Sequence, residues 1–357
     1  MTATATLVQF TAPQHVELVD CPVQTLPPGH FRVRTWYSGI SAGTELTAYN
    51  GSNPYLTRTW DPGRRLFVSG EPTFAYPVRG WGYSEVGEVV EVADGVTVVT
   101  PGQVVAGIWG HRSDGVVPAN AVTWLPIPAG MQPLHGIFTR VGAIALNAVL
   151  AAETRLGDVL AVFGQGVIGL LATQFGGLCG SRVVAVDALA HRLEVAERLG
   201  AHDVVDAVVA GGAGAAVRDL VGSHGADAAV ELSGTYAALH EAIRSVGVDG
   251  LVVASGFYQG EGTGLRLGEE FHHNRVRVVG SQIGGTPLPM GLRWNQRRLV
   301  TTVMAEITAE RVQVEPLVSD VLDADDVTWA FELLAQGYAE TLQVVLRFPA
   351  APAPSTG

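Results

Sequence analysis

"VLAVFGQGVIGLLATQFGG", residues 159–177, is the stretch whose reading decides the fold. Five apolar residues run straight into Gly164, Gly166 and Gly169 in G-x-G-x-x-G spacing, and small and apolar residues continue beyond them as a helix. Gly164 permits the tight turn, Gly166 lets the backbone approach a pyrophosphate on the helix N-terminus, and Gly169 lets helix and strand pack closely. With Gln165, Val167 and Ile168 between the glycines, the segment reads as a dinucleotide cradle.

The next apolar run, "RVVAVD", ends in Asp187, 18 residues past the third glycine, where a ribose-binding acid is expected. Its carboxylate would accept ribose hydroxyls and repel a 2′-phosphate. The nearest cation, Arg192, follows five residues later inside the next helix. NAD is therefore favoured over NADP. Ser233 and Gly256, each just after a further apolar strand, join the expected cofactor set.

Outward from the cradle, strands expected over 159–163, 182–187, 204–206, 226–231, 251–255 and 276–280 alternate with helices over 166–179, 191–199, 215–223 and 236–246. Such alternation predicts an α/β, doubly wound parallel sheet of Rossmann type, with helices on both faces. Upstream, to about Val122, short Val-rich runs such as "HFRVRTWYSG" and "VGEVVEVADGV" alternate with Gly and Pro turns and predict an antiparallel β-rich lobe. Downstream, helices are expected over 295–309 and 325–335, and the closing "LQVVLRF" returns to complete that first lobe. The expected division is 1–125 with 290–350, 126–289, and a disordered tail over 351–357.

A chain of 357 residues that is 47% hydrophobic can bury two lobes. Its formal charge of -12, without a long basic cluster, argues against a nucleic-acid partner. The N-terminus lacks a secretory pattern, and no apolar run is read as approaching the roughly 18 residues of a membrane helix. A cytoplasmic location is expected. Cys21 and Cys179 are the two cysteines, too few for a disulfide framework or a four-cysteine zinc site.

The order of lobes, "GQGVIG", "AVDALAHRLEVAERLGA", "GVDGLVVASG" and the closing "VVLRF" together resemble the medium-chain dehydrogenase/reductase superfamily over nearly the whole chain. The resemblance implies a GroES-like catalytic domain beside the Rossmann domain, and a homodimer or homotetramer joined through the edge strand near 276–280. Zinc alcohol dehydrogenases of the family carry "GICGTD", where this chain reads "GISAGTE", with Ser41 or Ala42 at the ligand position. They carry "GHE" where Tyr83 and Ser84 stand in "RGWGYSEVGEVVEV". No third ligand is found in "RVGAIALNAVLAAE" before Glu153, and the structural-zinc cysteines are absent. No metal is expected.

Two finer resemblances concern substrate. "YSGISAGTEL" with the following "GY" is similar to a zinc-free group that includes bacteriochlorophyllide hydroxyethyl dehydrogenases. "EEFHHNRVRVVGSQIGGTPLPMGLRW" is similar to a segment of dehydrogenases that oxidise a ring secondary alcohol of glycosides.

Without zinc to lower the proton affinity of an alcohol oxygen, a side chain must take the proton. Tyr83, at a lost ligand position, is the first candidate, its pKa of about 10 being lowered by a nearby cation. The alternative is that it only fills the vacated space. His111, in a loop, has the pKa best matched to proton transfer; Glu45 and Ser41 complete the catalytic set, although "GTEL" would also serve as a helix start with Thr44 as N-cap. Tyr49, His273, Arg293 and Trp294 are the expected substrate contacts, an indole face and a guanidinium suiting a polar ring. In "FHHNR" the adjacent histidines are expected on opposite sides of an extended chain.

These readings converge on an NAD(P)-dependent oxidoreductase interconverting a secondary alcohol and a ketone. A zinc-free reductase of activated double bonds and a non-catalytic cofactor-binding sensor are the alternatives.

Overall fold

The computed structural model describes residues 4–286 and 288–352, and the chain divides into two compact units, 1–140 with 318–357 and 141–317.

The first unit is β-rich. Strand His30–Gly39 is its hub, pairing antiparallel with Glu85–Val92, with Asp114–Pro118 and with Gln343–Arg347. Alternation explains the hub: Phe31, Val33 and Thr35 turn inward while Arg34 turns out. The inward side chains join Val89, Val105, Val117, Trp109 and Trp124 in one core. The closing "QVVLR" is buried over four residues and pairs Val345 with Gly39, so the C-terminus does complete the first unit. Strand Val318–Asp323 lies parallel beside it, the exception in a sheet whose other pairings are antiparallel. A second core gathers Phe10, Ile40, Tyr49, Phe331 and Leu346 around helices Ala42–Tyr49 and Val327–Gln336.

The second unit is a six-stranded parallel sheet in the order Asp203–Asp206, Arg182–Asp187, Val159–Phe163, Ala226–Glu231, Val246–Ala254, Arg277–Gly280. Inner strands such as "VLAVF" and "RVVAVD" are buried almost end to end, as a parallel sheet covered on both faces requires. Chain direction across the sheet reverses between Val159–Phe163 and Ala226–Glu231, the switch point where such sheets bind ligands at the carboxyl ends of their strands.

The division differs from the expected one at both joints. Residues 126–140 stay with the first unit, and 290–317 stay with the second. Packing explains the second joint: helix Gln296–Thr308 buries Leu299, Val300, Val303, Met304 and Ile307, and Val303 fills the space a side chain on Gly142 would need. The Gln174 side-chain amide holds the Gln313 backbone, donating Nε2 to Gln313 O at 3.0 Å and accepting from Gln313 N at 2.7 Å. The membrane reading is also corrected, because Pro133–Ala151 is long and apolar enough to cross a membrane; most of it is buried as a core helix. The tail expected over 351–357 lies, from 353 on, outside the described residues.

Candidate active site

In the first unit the two positions read as lost metal ligands come together. Ser41 precedes helix Ala42–Tyr49, and instead of capping it the Ser41 hydroxyl bonds the Tyr83 hydroxyl; Thr44 Oγ1 lies 3.3 Å from the same phenol. Thr44 is therefore not the N-cap.

Behind this hydroxyl cluster sits a sealed polar core. The Ser41 backbone N–H donates to Glu45 Oε1 at 3.0 Å, and the other Glu45 oxygen accepts from His111 Nε2 at 2.5 Å. His111 Nδ1 meets Ser38 Oγ at 2.6 Å, and Ser38 donates to Glu85 Oε1 at 3.2 Å. Glu85 also accepts backbone N–H groups from Trp109 at 2.8 Å and Ser84 at 3.2 Å. Gly82, at φ +115, is obligatory here, because a Cβ would come within 2.8 Å of Glu85 Oε1 and of the His111 backbone.

Electrostatics follow from this burial. Desolvation alone would lower His111, but the charge and hydrogen bond of Glu45, with the charge of Glu85, outweigh it and hold the imidazole above its usual value. An imidazolium donating from both nitrogens matches the two short contacts. Burial pushes Glu85 above the usual carboxylate range, against the pull of His111 and the two N–H donors.

Tyr83 departs from expectation. Burial is the largest influence and pushes its phenol up; Ser41, Thr44 and the charge of Arg140 pull down without prevailing, and Glu45 adds to the rise. It is a protonated phenol at neutral pH, not a base of lowered pKa. His111 does lie in a loop, but a buried one: it is 1% exposed, with neither ring nitrogen left for a ligand. Glu45, equally buried, has both oxygens committed. Both support Ser41 and Tyr83 rather than face a substrate.

Three residues escaped sequence reading: Ser38, Glu85 and Arg140. Arg140 Nη1 is shut from solvent without a hydrogen-bond partner, as are the neighbouring Thr139 Oγ1 and Ser84 Oγ. Burial pushes the Arg140 guanidinium below its usual range, and the Tyr83 phenol opposes that shift. Hydroxyls and a fully bonded imidazole do not make a tetrahedral zinc site, which takes thiolate, free imidazole or carboxylate donors.

Each expected substrate contact has its own setting. Tyr49 is a core residue, 5% exposed and stacked on Phe331 with ring centroids 5.6 Å apart. His273 lies exposed on the short helix Glu270–His273, its Nδ1 on Glu269 O at 3.0 Å; the chain is helical there, so the histidines are not splayed as on a strand. Arg293 is exposed, and the guanidinium over the Trp294 ring is that of Arg298, 4.4 Å from the centroid.

In the second unit the glycine loop runs from strand Val159–Phe163 into helix Val167–Leu178. Gly164 turns at φ +89, and a Cβ on Gly169 would stand 1.7 Å from Gly164 O, so strand and helix touch through their backbones. Gly166 is the N-cap of helix Val167–Leu178, and the backbones of Val167 and Ile168 open that helix, giving the free N–H groups that favour phosphate. Arg192 reaches across, its Nη1 4.0 Å from where a Gly166 Cβ would be. The Gln165 side chain turns inward to Val162 O and Thr173, so only its backbone belongs to the cradle. Asp187 accepts from Gln165 N at 2.6 Å and Leu189 N at 2.9 Å, holding the loop while keeping lone pairs for a ribose. Ser233 and Gly256 sit beside the cradle: a Cβ on Gly164 would meet Ser233 N at 2.7 Å, and one on Gly256 would meet Gly234 at 2.4 Å. Buried Glu231 organises this rim, accepting from Ser233 N at 2.7 Å and from Tyr258 OH at 2.5 Å.

A glycine cradle at the switch point of a doubly wound sheet, with a β-rich unit closed by the C-terminal strand, defines a dehydrogenase-type two-domain architecture. The comparisons with known proteins support the resemblance to the medium-chain dehydrogenase/reductase superfamily. The family model of zinc-binding dehydrogenases matches residues 167–296. The D-guloside 3-dehydrogenase of Shigella flexneri is 27% identical over 322 residues, covering 87% of this chain and 91% of the relative. Two solved structures share the fold: 2R,3R-butanediol dehydrogenase of Bacillus subtilis, at TM-score 0.78 and 20% identity over 96% of this chain and 99% of that one, and an Escherichia coli CFT073 alcohol dehydrogenase complexed with NADH, at 0.78 and 18% over 97% and 100%.

Proposed function

We propose that this protein is an NAD(P)-dependent oxidoreductase that interconverts a secondary alcohol and a ketone, on a cyclic, sugar-like substrate, with protein side chains handling the proton in place of zinc. The observation that carries the metal-independent part is the contact of the Tyr83 phenol with Ser41, two lost ligand positions that form a hydroxyl cluster together with Thr44. Likeness to a guloside dehydrogenase supports the alcohol and ring chemistry.

The Gly164–Gly169 loop, Asp187, Arg192, Ser233 and Gly256 would hold the cofactor, whose nicotinamide supplies or accepts the hydride. Asp187, a carboxylate against the ribose, favours NAD. Neutral Tyr83 donates its proton to a ketone oxygen in reduction; in oxidation the same oxygen must first be deprotonated. Arg140, whose Nη1 has no hydrogen-bond partner among the described residues, offers positive charge near that phenol and favours its deprotonation. His111, Glu45 and Ser38 hold Ser41 and its helix rigid behind Tyr83.

A screen of cyclitols, sugars, glycosides and simple secondary alcohols, following nicotinamide absorbance, tests this directly. Alcohol-dependent NAD reduction is the expected result. Turnover confined to enones would instead assign a double-bond reductase, and cofactor binding without turnover a sensor. We further propose a homodimer or homotetramer through edge strand Arg277–Gly280, whose four residues are all exposed. Light scattering should give a multiple of 37.5 kDa, and Val278→Lys should lower it.

A further inference from the structure

Away from the cradle, the second unit brings His240, Glu269 and Glu270 together. One ring nitrogen of His240 and one carboxylate oxygen from each glutamate all lie within 4.8 Å of one another. His240 stands on helix Tyr236–Ser245 and is 4% exposed, its Nε2 buried without a hydrogen-bond partner. Glu270 Oε2 is likewise buried and unpartnered. An imidazole nitrogen and a carboxylate oxygen left bare in the interior each carry a desolvation cost that a shared ligand would remove.

We propose that His240, Glu269 and Glu270 form a binding site for one divalent transition-metal ion, zinc foremost, that clamps helix Tyr236–Ser245 to the turn entering helix Glu270–His273. One imidazole and two carboxylates are a fitting donor set, with water completing a tetrahedron. Ligand atoms around zinc stand about 3.5 Å apart, so side-chain rotations of roughly 1 Å close the site.

The neighbouring cations allow it. Arg266 pairs with Glu269 at 2.8 Å, but both are at least half exposed, and such a pair is readily given up. Arg244 keeps Glu241 at 2.8 Å while touching Glu270 at 3.4 Å through the oxygen that is not orphaned. Two guanidinium groups against three glutamates leave the pocket net negative around a His240 ring that burial, Arg266 and Arg244 keep in its neutral, ligating form. The turn precedes strand Arg277–Gly280, so the ion would sit toward the N-terminal end of the sheet, opposite the cofactor loops, and act on stability rather than turnover.

Calorimetric titration of chelator-stripped protein with zinc chloride, with thermal melts and metal content after dialysis, tests the site. One equivalent should bind and raise the melting temperature. His240→Ala and, on the exposed side, Glu269→Gln should each weaken binding by at least the roughly tenfold that even outer-shell changes cost at metal sites, while Tyr83→Phe should retain it. Absence of zinc binding, or variants that bind as tightly as the parent, overturns the proposal. NADH titration is independent of the outcome, so failure here stays distinct from failure of the dehydrogenase reading.

Discussion

At the residue scale, the proposed reaction rests on Tyr83. Tyr83→Phe should lower turnover by about 10²-fold or more, as loss of a general acid–base group does, with NADH binding by fluorescence titration little changed. Because burial holds the phenol above its ordinary value, alcohol oxidation should climb with pH through the alkaline range, whereas ketone reduction should stay level and fall only there. His111 gives an independent pH signature. Its folded pKa lies above the usual 6.5, so its stabilisation is complete below about 6.5 and is lost as pH rises through the folded value. Raised Glu85 acts in the same direction, from the carboxylate range upward. Melts from pH 6 to 9 should therefore fall with pH and flatten in His111→Gln; parallel slopes would contradict the imidazolium. Ser41 and Tyr83 were legible because local motifs locate them. Arg140, Ser38 and Glu85 were not, since the burial of a lone polar residue depends on strands distant in sequence, and Tyr49 was misread because an aromatic facing the core looks the same on paper as one facing a ligand.

At the element scale, the cradle tolerates no side chain at its third glycine. Gly169→Ala must push helix Val167–Leu178 off strand Val159–Phe163, since the new carbon would overlap Gly164 O at 1.7 Å. A destabilisation of roughly 3 kcal/mol is expected, measured by denaturant unfolding, with NADH affinity lost alongside. The parallel strands were legible almost to the residue, because continuous Val-rich runs between glycine turns have little other reading. Boundaries slipped where tertiary pairing decides them: strand Val246–Ala254 begins five residues before the expected 251, because Val246 already pairs with Ala226. "FHHNR" reads as extended but closes a helical turn, with His273 N bonded to Glu269 O.

At the scale of the whole molecule, the two units were legible as a change in pattern, from alternating β to strand and helix, and the return of "LQVVLRF" was read correctly. The joints were not, because the seating of helix Gln296–Thr308 on Gly142 in the second unit leaves no periodic mark. The central claim is that protein hydroxyls have replaced the metal of this superfamily in alcohol chemistry. It is tested most directly by assaying alcohol-dependent NAD reduction before and after exhaustive chelation. Activity unchanged by chelation, and lost in Tyr83→Phe, is the predicted result; activity abolished by chelation and restored by zinc in the His240→Ala background would contradict it.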